Sequence, residues 1–496
     1  MSTVVLGLDI GTGGSRAVLV GDEGQVVAAA TVAHSPFVSP KTGWAEQEPD
    51  DWWRAAQQAI QQVLSKASAE VQVVGLSGQM HGAVLLDGAS SVIRPAIIWC
   101  DQRTEAECCA LTDQIGADRL IALVANPALT GFTLPKLLWV RNHEPAVWDR
   151  VRSVLLPKDF VRWCLIGERA TDVADASGTL LFDVAHRCWS KAMLEAVDID
   201  AELLPVAYEG PVVTGKVGAS GAKATGLRVG TPVVAGGGDQ AAGAVGMGVV
   251  RPGVVSATIG TSGVVFAATD RPALDDRGRV HTFCHAVPGR WHVMGVTQGA
   301  GLSLRWFKDT FGVGDLKEGE PLDPYDRLCE VAKEAPVGSD GVMWAPYLMG
   351  ERTPHLDPHA RAALVGLSAS HGRPHVSRAL LEGVAFSLRD SLTIIEAMGL
   401  STDRVRLGGG GARSPLWRQI QADVYGQEVE LLEADEGAAY GAALLAGVGA
   451  GFWSSVDQAS EVVTRVAETR IPVPQQRRVL ERQYERFQRL YRALHP

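Results

Sequence analysis

Four short stretches of the 496-residue sequence set glycine turns beside groups that can hold phosphate or move a proton. Asp9 ends an apolar run and is followed by Gly11, Thr12, Gly13 and Gly14. Gly260, Thr261, Ser262 and Gly263 follow a second apolar run, and Gly408 to Gly411 follow a third. A glycine turn after a strand can present a row of backbone N–H groups, joined by a Thr or Ser hydroxyl, to phosphate oxygens. Asp9 can hold a magnesium ion beside such a turn, through water, or cap the turn. Asp239 follows Gly236, Gly237 and Gly238 and precedes small residues. It can take a proton from a substrate hydroxyl or cap a helix.

Other chemistry lacks its residues. The nearest approach to a P-loop, Gly210 to Lys216, ends in Val217, which has no hydroxyl for magnesium. There is no Gly-x-Gly-x-x-Gly and no Gly-x-Ser-x-Gly. His281 and His285 flank Cys284 at a metal-like spacing, but Val280 to Val287 reads as a strand, which separates them. The net charge of −10 gives no attraction for nucleic acid or an anionic membrane. Seven cysteines, an odd number without a regular framework, suit a reduced, cytoplasmic chain. Met1 to Asp9 has neither the basic region nor the apolar core of a signal peptide.

The elements that must position these groups read as an α/β fold. Strands are expected over Val4–Ile10, Arg16–Val20, Gln25–Val32 and Val71–Leu76, with a helix starting at Pro49-Asp50-Asp51, whose carboxylates cap it. Val254–Ile259, Val264–Ala268 and Arg290–Val296 repeat the strand, turn, strand opening of the chain. This suggests two related domains facing each other across a cleft. The boundary falls near Val245 to Pro252, Gly312 to Asp326 reads as a polar surface loop, and Pro415 to Tyr425 reads as a helix. Residues 437–456 carry no charge but five glycines, which fits a buried soluble helix better than a membrane span. The last helix, Arg477 to Leu494, is amphipathic and is expected to dock on its own domain.

The sequence resembles the FGGY carbohydrate kinases. The resemblance is carried by Asp9 to Gly14, Trp44-Ala-Glu-Gln-Glu-Pro49 with Trp52-Trp53, Gly78-Gln-Met-His-Gly82, and Trp99-Cys-Asp-Gln-Arg103. Gly131 to Trp139, Leu156-Pro-Lys-Asp159, Gly236-Gly-Gly-Asp-Gln240 and Pro346-Tyr-Leu-Met-Gly-Glu-Arg-Thr-Pro354 extend it. It implies two duplicated domains of the kind shared by actin, hexokinase and the heat-shock chaperone ATPases. These would span residues 1–245 (sugar side, first turn) and 246–450 (nucleotide side), with a helical extension at 451–496. The implied reaction is ATP-dependent phosphorylation of a sugar, with magnesium. Met80 and His81 in the Gln-Met-His segment point to D-xylulose; another ketose or a polyol is the nearest alternative. An ATP-driven chaperone-like or sugar-sensing protein is the reading from another class.

By the same resemblance Asp239 is the base and Asp9 the carboxylate near magnesium. Gln79, Met80, His81, Trp99, Asp101 and Gln240 lie near the sugar. Gly11, Thr12, Gly13, Gly14, Arg16, Gly260, Thr261 and Ser262 surround the ATP phosphates, and Gly301, Arg305, Gly409, Gly410, Gly411 and Ser414 lie near the nucleoside. Sugar and ATP are the implied partners, without nucleic acid or membrane, and a homodimer is compatible. Four places depart from the family pattern, five residues in all: Ala362 and Gln298-Gly299 on the nucleotide side, and Cys100 and Gln240 near the sugar.

Overall fold

The computed structural model describes residues 2–313, 323–433 and 437–495. Residues 314–322 of the expected loop Gly312–Asp326 therefore lie outside the described residues.

The first half is built on β1 (Ser2–Ile10), β2 (Gly14–Val20) and β3 (Val26–Ala33), an antiparallel meander. Helix α1 (Pro49–Lys66) leads back to β4 (Ala69–Gly78), which pairs parallel to β1. Pro49 stands at the helix start, where its missing N–H costs nothing. The expected carboxylate cap is not there. Asp51 instead accepts the Ser35 N–H at 2.6 Å, from the loop after β3, and pairs with Arg54. Trp52, Ala56, Ile60 and Val63 recur at helical spacing and are buried on the sheet. Burying a side chain such as Ile60 contributes roughly 1.5–3 kcal/mol.

Helices α2 (Thr133–His143) and α3 (Pro157–Ile166) follow, then β5 (Val213–Lys216), β6 (Pro232–Val234) and the two-residue β7 (Gly237–Gly238). The sheet order is β5-β6-β4-β1-β2-β3, with β7 also pairing β4. Helix α4 (Asp239–Gly246) starts directly after β7.

The second half repeats this plan. Strands β8 (Val254–Ile259), β9 (Gly263–Thr269), β10 (His281–Cys284) and β11 (Trp291–Thr297) pair antiparallel. After α5 (Ala300–Phe311) and α6 (Arg373–Ala397) comes β12 (Arg404–Gly408), parallel to β8. Then follow α7 (Pro415–Tyr425), β13 (Val429–Leu432), α8 (Gly437–Gly449), β14 (Val466–Arg470) and α9 (Pro474–Leu494). The order β10-β11-β9-β8-β12-β13-β14 contains the same meander, parallel pair and antiparallel edge as the first sheet. The repeat expected from the two glycine turns is thus a repeat of topology.

Residues of β1 alternate between two cores. Val4, Leu6, Leu8 and Ile10 face α1, while Val5 faces α8. Helix α8, late in the chain, therefore covers the first sheet. Its backbone comes so close that a Cβ at Gly7 would overlap Ala439 O, and one at Gly441 would overlap Ala242 O of α4. No helix among the described residues is long and apolar enough to cross a membrane. The outer face of β9 and β11 carries Phe266 and Met294 into a core with Met80 and Phe132, which joins the two halves. Helix α9 docks through Leu480, Tyr484 and Phe487, and Tyr484 donates to Asp390 at 2.6 Å.

Candidate functional site

Asp9, Ser77 and Gly237 stand abreast on β1, β4 and β7, and each strand ends just beyond them. This brings the first glycine turn, the Gln79-Met80-His81 segment and Asp239 together at one edge of the sheet. Asp239 is the first residue of α4; Gly238 is its N-cap, so the Asp239 side chain is not spent as a cap. Burial, and then the charge of Asp9, push the Asp239 carboxyl up to about 7. Burial raises Asp9 to about 6, offset in part by the Ser77 hydroxyl and the Arg16 charge. Asp9 Oδ1 is buried without a hydrogen-bond partner. Two raised carboxylates that oppose each other's ionisation suit a site completed by a cation.

A cavity of about 160 Å³ lies between the halves. Thr12, Met80, His81, Trp99, Asp239 and Gln240 line it from the first half, and Ser262 and Arg352 from the second. His81 Nδ1 donates to Gly178 O at 2.6 Å, which leaves Nε2 as an acceptor. Burial, and then the charge of Lys136, lower its pKa to about 3, so the ring is neutral. Lys136 itself donates to His81 O and Gly131 O and fixes the loop from behind.

The first turn closes with Gly11 N–H on Gly14 O at 3.0 Å. The Thr12 hydroxyl, expected at the nucleotide, is engaged by two side chains of its own half. It donates to Gln79 Oε1 at 3.2 Å and accepts from Trp99 Nε1 at 2.9 Å. Gln79 is buried behind the cavity and ties the turn to Gln47. Asp101, expected near the sugar, is not a lining residue. It is fully buried, gripped by Arg103 through Nε and Nη2, and accepts the Ala45 N–H.

The second turn closes with Gly260 N–H on Ser262 O at 2.9 Å. The first N–H groups of α5 tie it down: Gly301 N–H donates to Gly260 O and Leu302 N–H to Thr261 O. A Cβ at Gly301 would overlap Gly260 O, so this glycine permits the contact. Gly409 takes φ +72 and lies against Ile259 O, while Gly410 is exposed and Gly411 is buried. Arg305 is exposed on α5. The Ser414 hydroxyl is spent as the N-cap of α7, accepting the Trp417 N–H at 3.3 Å. His281 and His285 are held by Asn126 and by the Val249 carbonyl.

Sequence reasoning missed Phe132, Met294, Val296 and Arg352 as lining residues. Phe132 and Arg352 lie in segments that carried the resemblance. Met294 and Val296 follow from the alternation of β11 once one of its faces is known to meet the first half.

A glycine-turn pair, two raised carboxylates and a small cavity between two topologically equivalent halves define the class. Residues 4–246 match the N-terminal domain and residues 255–450 the C-terminal domain of the FGGY family of carbohydrate kinases. The chain belongs to this family. It is 40% identical to xylulose kinase of Escherichia coli (strain K12) over 99% of both chains. It is 37% identical to xylulose kinase of Bacillus subtilis (strain 168), covering 98% of this chain and 96% of the other. The crystal structure of xylulose kinase from Rhodospirillum rubrum superposes with a TM-score of 0.91 at 32% identity, covering 99% of each chain.

Proposed function

We propose that this protein transfers the γ-phosphoryl group of ATP to the terminal hydroxyl of D-xylulose, giving D-xylulose 5-phosphate and ADP. The observation that carries the reading is Asp239, a partly buried carboxylate with raised pKa, lining a small cavity with Met80, His81 and Ser262. The full-length similarity to xylulose kinases supports the choice of sugar.

Asp239 orients the sugar hydroxyl and accepts its proton as the new O–P bond forms. His81 Nε2 accepts from a sugar hydroxyl, and Trp99 walls the cavity. The backbone N–H groups of the two turns face the phosphates, with the Gly409–Gly411 loop against the nucleoside. Asp9 fits a magnesium ion: its orphaned Oδ1 is a hard oxygen donor beside the phosphate turn, and magnesium needs only one or two carboxylates besides phosphate and water. When bound, that ion neutralises phosphate charge. The N-terminal residues 1–245 serve the sugar and 246–450 the nucleotide, with 451–496 as an extension. Seven free cysteines suit the cytoplasm.

The test is ADP release from MgATP with D-xylulose, D-ribulose and xylitol, beside an Asp239→Ala control. A response led by D-xylulose and lost in the control is expected. A response led by D-ribulose or xylitol overturns the substrate, and turnover that ignores sugar overturns the kinase.

A further inference from the structure

We propose that Arg352 recognises the carbonyl end of an open-chain ketose and thereby sets the preference for a ketose over the corresponding alditol. This rests on the sugar-kinase reading above and assigns a residue that the reading leaves unused. Arg352 reaches the cavity from the second half, and among the described residues its guanidinium makes no hydrogen bond or ion pair. The Glu351 charge acts on it, but a partly buried guanidinium with no hydrogen-bond partner is costly unless a ligand completes it.

Its backbone is firmly mounted. The Glu351 carboxylate accepts the N–H groups of Gln298 and Arg352, both at 2.8 Å. Thr353 N–H donates to Val296 O, and its hydroxyl accepts from Val296 N–H and donates to Arg279 O. The guanidinium is beside Gly131, where a Cβ would stand 3.5 Å from Arg352 Nη2. Its charge acts on His81 and His281, whereas Asp239 feels Asp9 and Gln240. Lys136 joins Gly131 O to His81 O, so the guanidinium beside Gly131 stands at the His81 end of the cavity. A pentulose with its terminal hydroxyl at Asp239 directs its first carbons there.

Among the described residues that end offers the fork of Arg352 donors, with His81 Nε2 and, beside Gly131, the Trp99 carbonyl as acceptors. A ketose fits this inventory, because its C2 carbonyl only accepts while its C1 hydroxyl can donate to His81 or to the Trp99 carbonyl. An alditol carries a C2 hydroxyl, a weaker acceptor than a carbonyl, which must also turn its proton away from the Arg352 fork.

The experiment is calorimetric titration of D-xylulose and xylitol into wild type and Arg352→Gln, with ADP release by wild type run in parallel. Wild type is expected to bind the ketose more tightly. In Arg352→Gln the ketose should weaken by about 100-fold and xylitol by less than about threefold, in line with loss of charged hydrogen bonds. Arg352→Lys, which keeps the charge without the fork, should restore the ketose to within about tenfold. Equal weakening of both sugars, an unchanged ratio, or no ketose preference in wild type overturns the proposal. So does tighter binding of D-xylonate than of D-xylulose, which would make Arg352 a carboxylate clamp. If Arg352→Gln does not fold, Arg352→Lys carries the same comparison, with the ketose alone expected to weaken. Ketose binding without ADP release would sink the kinase reading and leave the binding ratio to decide Arg352.

Discussion

The two halves share a topology but ring their glycine turns with different material. At the first turn the ring is side chains: Thr12, Gln79, Trp99 and Gln47 form one hydrogen-bonded chain. At the second it is backbone, namely the N–H groups of Gly301 and Leu302 and the loop Gly409–Gly411. Registers make the positions equivalent: Asp9 pairs with Ser77 on β4 as Thr258 pairs with Gly408 on β12. So Gln79-Met80-His81 in one half corresponds to Gly410-Gly411-Ala412 in the other. The lesson is one of recognition. Side chains can tell hydroxyl from hydroxyl and suit a sugar. Bare backbone admits a flat base and polyanionic phosphate, and the second half keeps Thr258 where a second carboxylate would repel that anion.

The largest break in this comparison is Asp239→Asn. It should lower turnover with D-xylulose by about 10³-fold, within the span of general-base loss. It should also stabilise the ligand-free protein, as a melting curve would show. The sign follows from the raised pKa. Below pH 3.8 the carboxyl is protonated in the folded and the unfolded chain alike, and the variant gains nothing. Between pH 3.8 and about 7 the unfolded chain releases a proton that the folded chain still holds, so the gain grows across that window and is complete above pH 7. By the same group, kcat/KM should fall about tenfold per pH unit below 7.

Next in size, Thr258→Asp would give the second half the carboxylate of the first. KM for ATP should rise by about 30-fold through repulsion, while KM for sugar stays within about twofold. Gly409→Ala tests the backbone ring: at φ +72 and against Ile259 O it strains the loop. It should cost about 1 kcal/mol of stability and raise KM for ATP rather than for sugar. The smallest effect separates the two turn hydroxyls. Thr12→Val should raise KM for D-xylulose by roughly fivefold, the worth of a hydrogen bond, whereas Thr261→Val, at an exposed position, should change neither KM measurably.

Much of this was legible in residue order because the signals are local. The apolar runs of β1 and β8, the glycines that end them, and the Pro415 start of α7 each depend on a few neighbours. The glycines before Asp239 were equally plain. What escaped depends on which way a side chain points once distant segments meet. Asp101 is taken by Arg103, two residues on, and Asp51 by Ser35 of another element. The Thr12 hydroxyl is taken up by Gln79 and Trp99, which arrive from distant segments. Arg352 follows no period at all; only the meeting of the halves brings it to the cavity.

The close seating of α4 on α8 carries one more consequence. Asp239 heads α4, and α4 rests on Gly441 with no side chain between the two backbones. The aim of the proposed base is thus set by how near two helices can lie as well as by its own hydrogen bonds to Gln240. A single methyl at position 441 would lift α4 and tilt the carboxylate away from its hydroxyl. A substitution remote from sugar and nucleotide alike would then act as a misalignment of the reaction rather than as a loss of binding.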